Sequence, residues 1–196
     1  MQPFSQACEN NKQPILDHLR EIFCAPGLVL EIGSGTGQHA EFLAAQLQHL
    51  QWQPTDHPAA LGGCEERLRL AALTNVKVPL ALDVAASRWP VAAADAAFSA
   101  NTAHILSWPE LQSMFLGLAA ILPLHAPFCL YGPFNYAGAF TSDSNRMFDQ
   151  QLRLRATHMG IKDIEDLLDL AALSDFALAA DHAMPANNRL LVWRRT

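Results

Sequence analysis

Hydrophobic and polar positions along the chain follow two periods in turn, which predicts strands alternating with helices. Short apolar runs fit strands buried in a parallel sheet, and apolar residues three or four positions apart fit helices that bury one face. The predicted strands are 28–32, 50–55, 78–82, 96–100, 128–131, 176–180 and 190–194. The predicted helices are 11–23, 38–49, 59–73, 109–122, 143–157 and 162–173.

This order of elements predicts a doubly wound α/β fold, because helices join parallel strands through right-handed crossovers. We expect a Rossmann-like, seven-stranded, mostly parallel sheet with helices on both faces. The last two strands have no helix between them and should form a C-terminal antiparallel hairpin. The length favours one domain, 1–196, with an insertion or lid at 134–160 between the fifth strand and the last helix. Pro14 is placed in the first turn of the first helix, where its missing N–H costs nothing.

The end of the first strand carries the strongest chemical signal. Gly33, Gly35 and Gly37 alternate with other residues, so the backbone can turn sharply and approach a ligand closely. The helix that follows, from Gln38, presents unpaired N–H groups near that ligand. A dinucleotide site is one interpretation, but its G-x-G-x-x-G spacing places the third glycine one residue later. Glu31, two positions before Gly33, can instead favour a cationic ligand group.

Polar residues also follow the other predicted strands. Ligands in such sheets bind beyond the carboxyl ends of the strands. The residues there are Asp56 after the second strand, Asp83 and Val84 after the third, Asn101 and His104 after the fourth, and Tyr131, Asn135 and Tyr136 around the fifth. Asp56 and Asp83 have an alternative interpretation as caps of the helices that follow.

The pattern E-x-G-x-G-x-G resembles the first motif of class I S-adenosylmethionine-dependent methyltransferases. A closer resemblance is to the uncharacterised family of methyltransferase-like protein 26, and it covers nearly the whole chain. The segments that carry it are 11–16 (NKQPIL), 33–39 (GSGTGQH), 53–56 (QPTD), 101–104 (NTAH), 131–134 (YGPF), 140–145 (FTSDSN), 148–149 (FD) and 184–188 (MPANN). Asn10 departs from that family's pattern, in which a basic residue is expected.

The resemblance implies S-adenosylmethionine as cofactor and gives roles to individual residues. Glu31 would favour the methionine amine, Asp56 would accept from the ribose hydroxyls, and Asp83 with Val84 would hold the adenine. The turn residues and Asn101 complete the expected cofactor site: Gly33, Ser34, Gly35, Thr36 and Gly37.

The residues that would contact the molecule receiving the methyl group are less clearly indicated by the sequence. His104 and Tyr131 are the candidate catalytic residues, with His104 as a general base or, alternatively, as a hydrogen-bonding structural residue. The candidate substrate residues are Asn11, Asn135, Tyr136 and Asn187. The aromatic and amide cluster after the fifth strand has core packing as its alternative.

Charge, targeting patterns and cysteine count limit the classes of binding partner that we expect. The net charge is −6 with scattered basic residues, which disfavours nucleic acid. The chain has neither a signal-peptide pattern nor an apolar run long enough to span a membrane. Its four cysteines are far apart, so neither a disulfide framework nor a metal site is expected. We expect a cytoplasmic protein acting on a small-molecule acceptor, with its oligomeric state left open.

The preferred hypothesis is S-adenosylmethionine-dependent methyl transfer to an unidentified small molecule. The alternative is a non-catalytic or partner-dependent module with a methyltransferase fold. A nicotinamide-dependent enzyme is a third hypothesis, which the glycine spacing disfavours.

Overall fold

The computed structural model describes residues 3–196. The helices are α1 (Gln6–Ile22), α2 (Gln38–Gln46), α3 (Gly62–Ala71), α4 (Trp108–Ile121), α5 (Asp143–Arg155) and α6 (Ile164–Leu173), with a short 3₁₀ turn at Pro185–Asn187. The strands are β1 (Gly27–Ile32), β2 (Leu50–Asp56), β3 (Leu80–Ala81), β4 (Ala96–Ala100), β5 (Pro127–Gly132), β6 (Phe134–Asn135), β7 (Lys162–Asp163), β8 (Phe176–Met184) and β9 (Asn188–Arg195).

Seven of the strands form one sheet, in the order β3-β2-β1-β4-β5-β9-β8. β1 pairs in parallel with β2 and β4, and β9 runs antiparallel to both β5 and β8. The predicted seven-stranded, mostly parallel sheet with a C-terminal antiparallel hairpin is therefore confirmed. The chain divides into two compact units, the first ending at Ser99 and the second spanning Ala100–Thr196. The single domain stays a prediction.

The core of the first unit is built on β1 and α1. Val29 and Leu30 of β1 are fully buried, as a strand with neighbours on both edges requires. Ile15, Leu16 and Leu19 recur at helical spacing and bury one face of α1. Each such side chain contributes about 1.5–3 kcal/mol relative to an exposed one.

The predicted start of the first helix is wrong. α1 begins at Gln6, where the Ser5 side chain accepts a hydrogen bond from the Cys8 N–H and caps the helix. Pro14 therefore lies inside α1 rather than in its first turn. The first turns of α1 are polar and show no helical spacing of apolar residues. The capping serine, Ser5, was therefore the only sequence signal of where the helix begins.

The predicted third strand is also too long. β3 keeps only Leu80 and Ala81, and Val78 has 78% of its surface exposed. α3 begins at Gly62, later than predicted, after a turn that starts at His57. Edge position explains the short strand, since β3 has only β2 as a neighbour.

The core of the second unit is aromatic. Phe115 of α4 makes edge-to-face contacts with Phe128 of β5, Phe176 of β8 and Trp193 of β9, with ring centroids 5.5–5.7 Å apart. Such pairs add about 0.5–1.5 kcal/mol each beyond the area that they bury. Ser107 and Glu110 form a reciprocal capping box that fixes the start of α4.

Residues 134–160, predicted as a loop followed by a helix, begin with a short strand. β6 pairs in parallel with β7, with Phe134 opposite Lys162 and Asn135 opposite Asp163. This two-residue ladder was not predicted, because two residues show no period. α5 follows the prediction closely. The lid role of 134–160 stays a prediction.

Candidate functional site

The glycine turn after β1 is held by the end of β2. Gly33, Gly35 and Gly37 all have positive φ, at 78°, 56° and 75°. The carbonyl oxygen of Thr55 accepts from the N–H groups of Gly33 and Ser34, both at 3.0 Å. Pairing between β1 and β2 thus continues past the strand end and fixes the start of the turn.

The glycines of this region have different reasons to lack a side chain. A Cβ on Gly37 would lie 3.0 Å from the Cβ of Cys64, and a Cβ on Gly63 would lie 2.7 Å from the Gly35 oxygen. These two glycines let α3 pack closely on the turn. A Cβ on Gly35 would meet nothing within 4 Å. Gly35 therefore faces open space, and its backbone is accessible to a ligand.

Glu31 is a carboxyl group in the protein interior, with 1% of its surface exposed. Its Oε2 atom accepts from the indole N–H of Trp52 at 2.9 Å and from the Ser34 hydroxyl at 3.0 Å. Burial raises the pKa of Glu31 to about 7, and the two hydrogen bonds limit that rise. A ligand cation beside this group would favour its ionised form.

Sequence reasoning missed Trp52. It pairs with Val29 across the β1–β2 ladder, and Glu31 is two residues further along β1. Residues two apart share a face of a strand, so the register places the indole on the side of Glu31. A correct register for β1 and β2 would have identified it.

Asp56 at the end of β2 binds the glycine turn directly. Its Oδ2 accepts from the Gly35 N–H at 2.6 Å, and its Oδ1 accepts from the His57 N–H at 2.7 Å. The alternative interpretation of Asp56 as a cap of the next helix is wrong, because α3 begins at Gly62 with Leu61 at its N-cap.

Asp83 lies in a tight turn after β3. Its Oδ1 accepts from the Ala85 N–H at 2.9 Å, and its carbonyl oxygen accepts from the Ala86 N–H at 3.0 Å. No helix begins there in the described chain, so the interpretation as a helix cap is also wrong. Val84 beside it is buried.

The chain before α1 and its first turn lie against the glycine turn. Gln38 accepts from the Ser5 N–H at 2.6 Å and from the Thr36 hydroxyl at 2.9 Å, both at Oε1. Arg67 of α3 donates to the carbonyl oxygens of Thr36 and Pro3, both at 2.8 Å. Sequence reasoning missed Gln38 and Arg67 as contacts, since neither position carries a local signal.

Asn11, a predicted substrate residue, is hydrogen-bonded within the first unit. Its side chain is buried, and its Oδ1 lies 2.7 Å from Nε2 of His39 on α2. Burial lowers the pKa of His39 to about 4, so the neutral ring can donate to Asn11. The pair joins α1 to α2, and the substrate role of Asn11 stays a prediction.

In the second unit, His104 follows β4 and is 6% exposed. Its ring meets Phe148 edge to face at 5.1 Å, and its carbonyl oxygen accepts from the Gly160 N–H. Burial lowers the pKa of His104 to about 4, and the positive charges of Lys162 and Arg155 lower it further. The imidazole is neutral at pH 7 and is a weak base.

The remaining predicted residues of this unit differ in their surroundings. Asn101 has a positive φ of 57° and donates its N–H to the carbonyl oxygen of the buried Tyr131 at 2.8 Å. The Tyr136 hydroxyl donates to Asp181 at 2.7 Å. Asn187 is exposed, and its carbonyl oxygen accepts from Asn145. The side-chain oxygen of Asn135 is buried without a hydrogen-bond donor within the described chain.

No group of three or more metal-binding side chains occurs among residues 3–196. Within the same residues, no helix is long and apolar enough to cross a membrane.

Solved structures with a similar fold are methyltransferases. An O-methyltransferase family protein from Burkholderia thailandensis matches with a TM-score of 0.83 and 15% identity, over 97% of this chain and 57% of that one. The S-adenosylmethionine-dependent methyltransferase SibL, in its apo form, matches with a TM-score of 0.79 and 18% identity, over 96% of this chain and 55% of that one. An O-methyltransferase family 2 protein from Planctomyces limnophilus, in complex with apigenin, matches with a TM-score of 0.76 and 12% identity, over 98% of this chain and 62% of that one.

These likenesses show that the protein shares the fold of these three methyltransferases. The chain spans 55–62% of the length of the three structures. Residues 2–195 match the model of a family described as "Protein of unknown function (DUF938)". The match covers nearly the whole sequence, and the chain belongs to that family.

Proposed function

We propose that the protein transfers the methyl group of S-adenosylmethionine to a small-molecule acceptor. One arrangement in the first unit carries the proposal. The backbone at Gly35 is open to a ligand and bonded to the Asp56 carboxylate, while a second carboxyl group, Glu31, is bonded to the same turn at Ser34. The accessible backbone at Gly35 thus has one carboxyl group before it in the sequence, Glu31, and one after it, Asp56. This arrangement suits a ligand that has a cationic end and hydroxyl groups.

Each cofactor residue has a role that its chemistry supports. Glu31 would bind the methionine amine, since a cation beside it offsets the cost of ionising a buried carboxyl group. Asp56 keeps lone pairs free on both oxygens after its two backbone bonds and can accept from ribose hydroxyls. Asp83 would accept from the adenine amino group, with Val84 packed against the ring. S-adenosylmethionine itself supplies an electrophilic methyl group on its sulfonium.

Most of the residues proposed for the acceptor follow β4 and β5. Methyl transfer mainly requires that the acceptor atom be positioned and water excluded, so a strong base is not essential. His104 is neutral and can accept a proton, and Asn135 offers a buried oxygen without a donor in the described chain. The other proposed acceptor contacts are Tyr131, Tyr136, Asn187 and Asn11, whereas Asn101 is proposed to bind the cofactor.

A partner-dependent binding module is the second candidate, and the low pKa of His104 favours it. A base with a pKa of about 4 removes a proton slowly from an alcohol or a thiol. Persistent inactivity against a metabolite extract, with the cofactor bound, would favour this alternative.

Calorimetry with S-adenosylhomocysteine tests the cofactor proposal without a known acceptor. We expect binding by the wild type and a loss on the order of tenfold or more in Asp56→Ala, where a charge-assisted hydrogen bond disappears. Asp169→Ala, an exposed carboxylate on α6, is the matched control and should bind normally. If the wild type binds neither this ligand nor S-adenosylmethionine, the proposed function is wrong.

Two finer statements belong to the same proposal. The segments that resemble the family of methyltransferase-like protein 26 run through most of the chain, which supports kinship with that family. The acidic net charge with scattered basic residues supports a small molecule rather than nucleic acid as the substrate, and we propose that the protein acts in the cytoplasm.

A further inference from the structure

The imidazole of His104 is a buried polar group that has no hydrogen-bond partner in the described chain. Only 6% of the residue is exposed, and neither ring nitrogen is hydrogen-bonded within residues 3–196. Buried polar groups in folded proteins nearly always have such a partner. Because the pKa of His104 is lowered to about 4, the ring is neutral at pH 7 and has one donor and one acceptor nitrogen. A ligand could supply the partner that the ring lacks.

The space beside this ring lies at Gly132, the last residue of β5. Gly132 is buried, but a Cβ on it would meet a single heavy atom of the described chain within 4 Å, its sequence neighbours apart. That atom is Nδ1 of His104, at 3.9 Å. The side-chain position of Gly132 is therefore open, and an imidazole nitrogen borders it at ordinary contact distance. Ligands of such sheets bind beyond this end of the parallel strands.

Phe148 of α5 packs against the ring of His104. The two rings meet edge to face, with their centroids 5.1 Å apart and their planes at 78°. Aromatic pairs prefer this arrangement, so the contact favours one orientation of the imidazole. Phe148 therefore helps to keep a ring nitrogen at the border of the space at Gly132.

Asp149, the next residue of α5, fixes the backbone of His104 indirectly. The Asp149 side chain is buried, and its Oδ1 accepts from the Ile161 N–H at 2.8 Å. Gly160, the residue before Ile161, donates its N–H to the carbonyl oxygen of His104 at 2.9 Å. A Cβ on Gly160 would lie 2.8 Å from Oδ1 of Asp149, so this close approach requires a glycine. The carboxylate thus holds the turn that holds His104.

We propose that the space at Gly132 binds a hydroxyl group of the methyl acceptor, hydrogen-bonded to Nδ1 of His104, and that Phe148 and Asp149 position that ring. This rests on the proposed function, which it deepens by naming the acceptor as a hydroxylated small molecule. A hydroxyl group both donates and accepts, so it matches a neutral imidazole in either tautomer. The segments 101–104 and 148–149, which lie far apart in the sequence, thus act on one ring.

Phenol and toluene test the proposal, because they have the same planar shape and differ in a hydroxyl group against a methyl group. Both can be titrated into ¹⁵N-labelled protein saturated with S-adenosylhomocysteine and followed by NMR, with the ring signals of His104 assigned from His104→Leu. We expect phenol to bind about fivefold more tightly, as one neutral hydrogen bond implies, and to shift the Nδ1 resonance. Equal affinity for the two ligands, with that resonance unmoved, would overturn the proposal.

Gly132→Ala tests the location of the site. Its Cβ would contact Nδ1 of His104 at an ordinary distance, so the variant should fold, but its methyl group fills the space. We expect the affinity for phenol to fall on the order of tenfold, as the loss of a hydrogen bond together with packing implies. Gly62→Ala, at an exposed glycine whose Cβ would meet nothing within 4 Å, is the matched control. Unchanged phenol binding in Gly132→Ala contradicts the location. If that variant does not fold, a phenol preference that survives in His104→Leu contradicts it instead.

Variants of α5 test the positioning role. Phe148→Leu and Asp149→Ala should each reduce the preference for phenol, and Phe148→Leu should also remove the ring-current shift of the His104 protons. Phe148→Tyr and Asp149→Asn should restore the preference, since one keeps the ring and the other keeps an oxygen acceptor for Ile161. Met147→Leu and Asp143→Ala, at exposed positions of the same helix, are matched controls. A full preference for phenol in both Phe148→Leu and Asp149→Ala contradicts the positioning role.

The subsite and the proposed function fail in different ways. Absent binding of S-adenosylhomocysteine contradicts the proposed function, whereas phenol and toluene can also be titrated against the protein alone. Bound S-adenosylhomocysteine without any preference for phenol contradicts only the subsite at Gly132.

Discussion

At the scale of single residues, the environment of Glu31 sets its chemistry. The sequence identifies a carboxylate two positions before a glycine turn, but it does not reveal that the group is buried and bonded to Trp52. With its pKa raised to about 7 by burial, Glu31 is half-protonated near neutrality. Its capacity to bind a cation therefore depends on pH in the physiological range.

We expect the affinity for S-adenosylhomocysteine to increase between pH 6 and pH 8. Glu31 is mostly protonated at pH 6 and mostly ionised at pH 8, and only the ionised form attracts the ligand amine. The increase should be on the order of tenfold, because the ionised fraction of a group with a pKa of about 7 rises from about one tenth at pH 6 to about nine tenths at pH 8. Calorimetry across this pH range measures it. Glu31→Gln should bind weakly with a flat profile, whereas the exposed Glu66→Gln should retain the wild-type slope; a slope in Glu31→Gln would contradict the prediction.

Alanine at Gly35 and at Gly37 should have different effects. Both positions have positive φ, which costs a residue with a Cβ about 1–2 kcal/mol. At Gly37 the new Cβ would also lie 3.0 Å from Cys64, so the free energy of unfolding should fall further than at Gly35. Gly35→Ala should remain folded but weaken cofactor binding, because its Cβ enters the open space. Urea unfolding and calorimetry separate the two effects, and an equal loss of stability in both variants would refute the difference.

At the scale of elements, Arg67 links the chain before α1 to the glycine turn. Arg67→Met removes its hydrogen bonds to the carbonyl oxygens of Thr36 and Pro3. We expect faster amide hydrogen exchange in the first turns of α1 and weaker cofactor binding, because the turn loses a support. Exchange measured by mass spectrometry tests this. Arg69→Met, an exposed residue of the same helix, should leave exchange in α1 unchanged.

Elements could be predicted from sequence wherever their hydrophobic period is long. β1, β4, α4 and α5 lie close to the predicted positions, since each buries a continuous run or a full helical face. The start of α1 and the β6–β7 ladder could not be predicted. The first depends on the cap at Ser5, and the second on two residues that pair across a gap in sequence. The glycine turn could be predicted because its three glycines lie within five residues of sequence, whereas Trp52 and Arg67 reach the turn only through the fold.

At the scale of the whole molecule, stability should fall on mild acidification. The pKa values of His39 and His104 are lowered from 6.5 to about 4, so the folded state binds fewer protons than the unfolded state below pH 6.5. The raised pKa of Glu31 acts in the opposite direction, since its folded form holds a proton between pH 4.5 and 7. Two imidazoles outweigh one carboxyl group, so these three groups together reduce stability as pH falls from 6.5 to 4.5.

Variants change the slope of this pH dependence in opposite senses. Glu31→Gln removes the opposing contribution and should make the acid-induced loss steeper, whereas His39→Asn should make it shallower. Denaturant unfolding at pH 7, 6 and 5 gives the slopes, with the exposed His158→Gln as control. A shallower slope in Glu31→Gln would show that its carboxyl group is ionised throughout this range.

The ladder between β6 and β7 has a consequence for how this protein can change. It holds Phe134 opposite Lys162, so the ends of the intervening segment lie one strand spacing, about 4.8 Å, apart. A segment whose ends meet in this way can be lengthened, shortened or exchanged with little strain on the strands that carry it. Residues 136–161 therefore start and end at points that the ladder fixes, whatever the length between them. We expect a chimaera that receives this segment from another member of the family to keep its fold only where the donor also supplies the contacts that Asn145 and Phe148 make with Asn187 and His104. Urea unfolding of chimaeras with and without these two residues measures the difference.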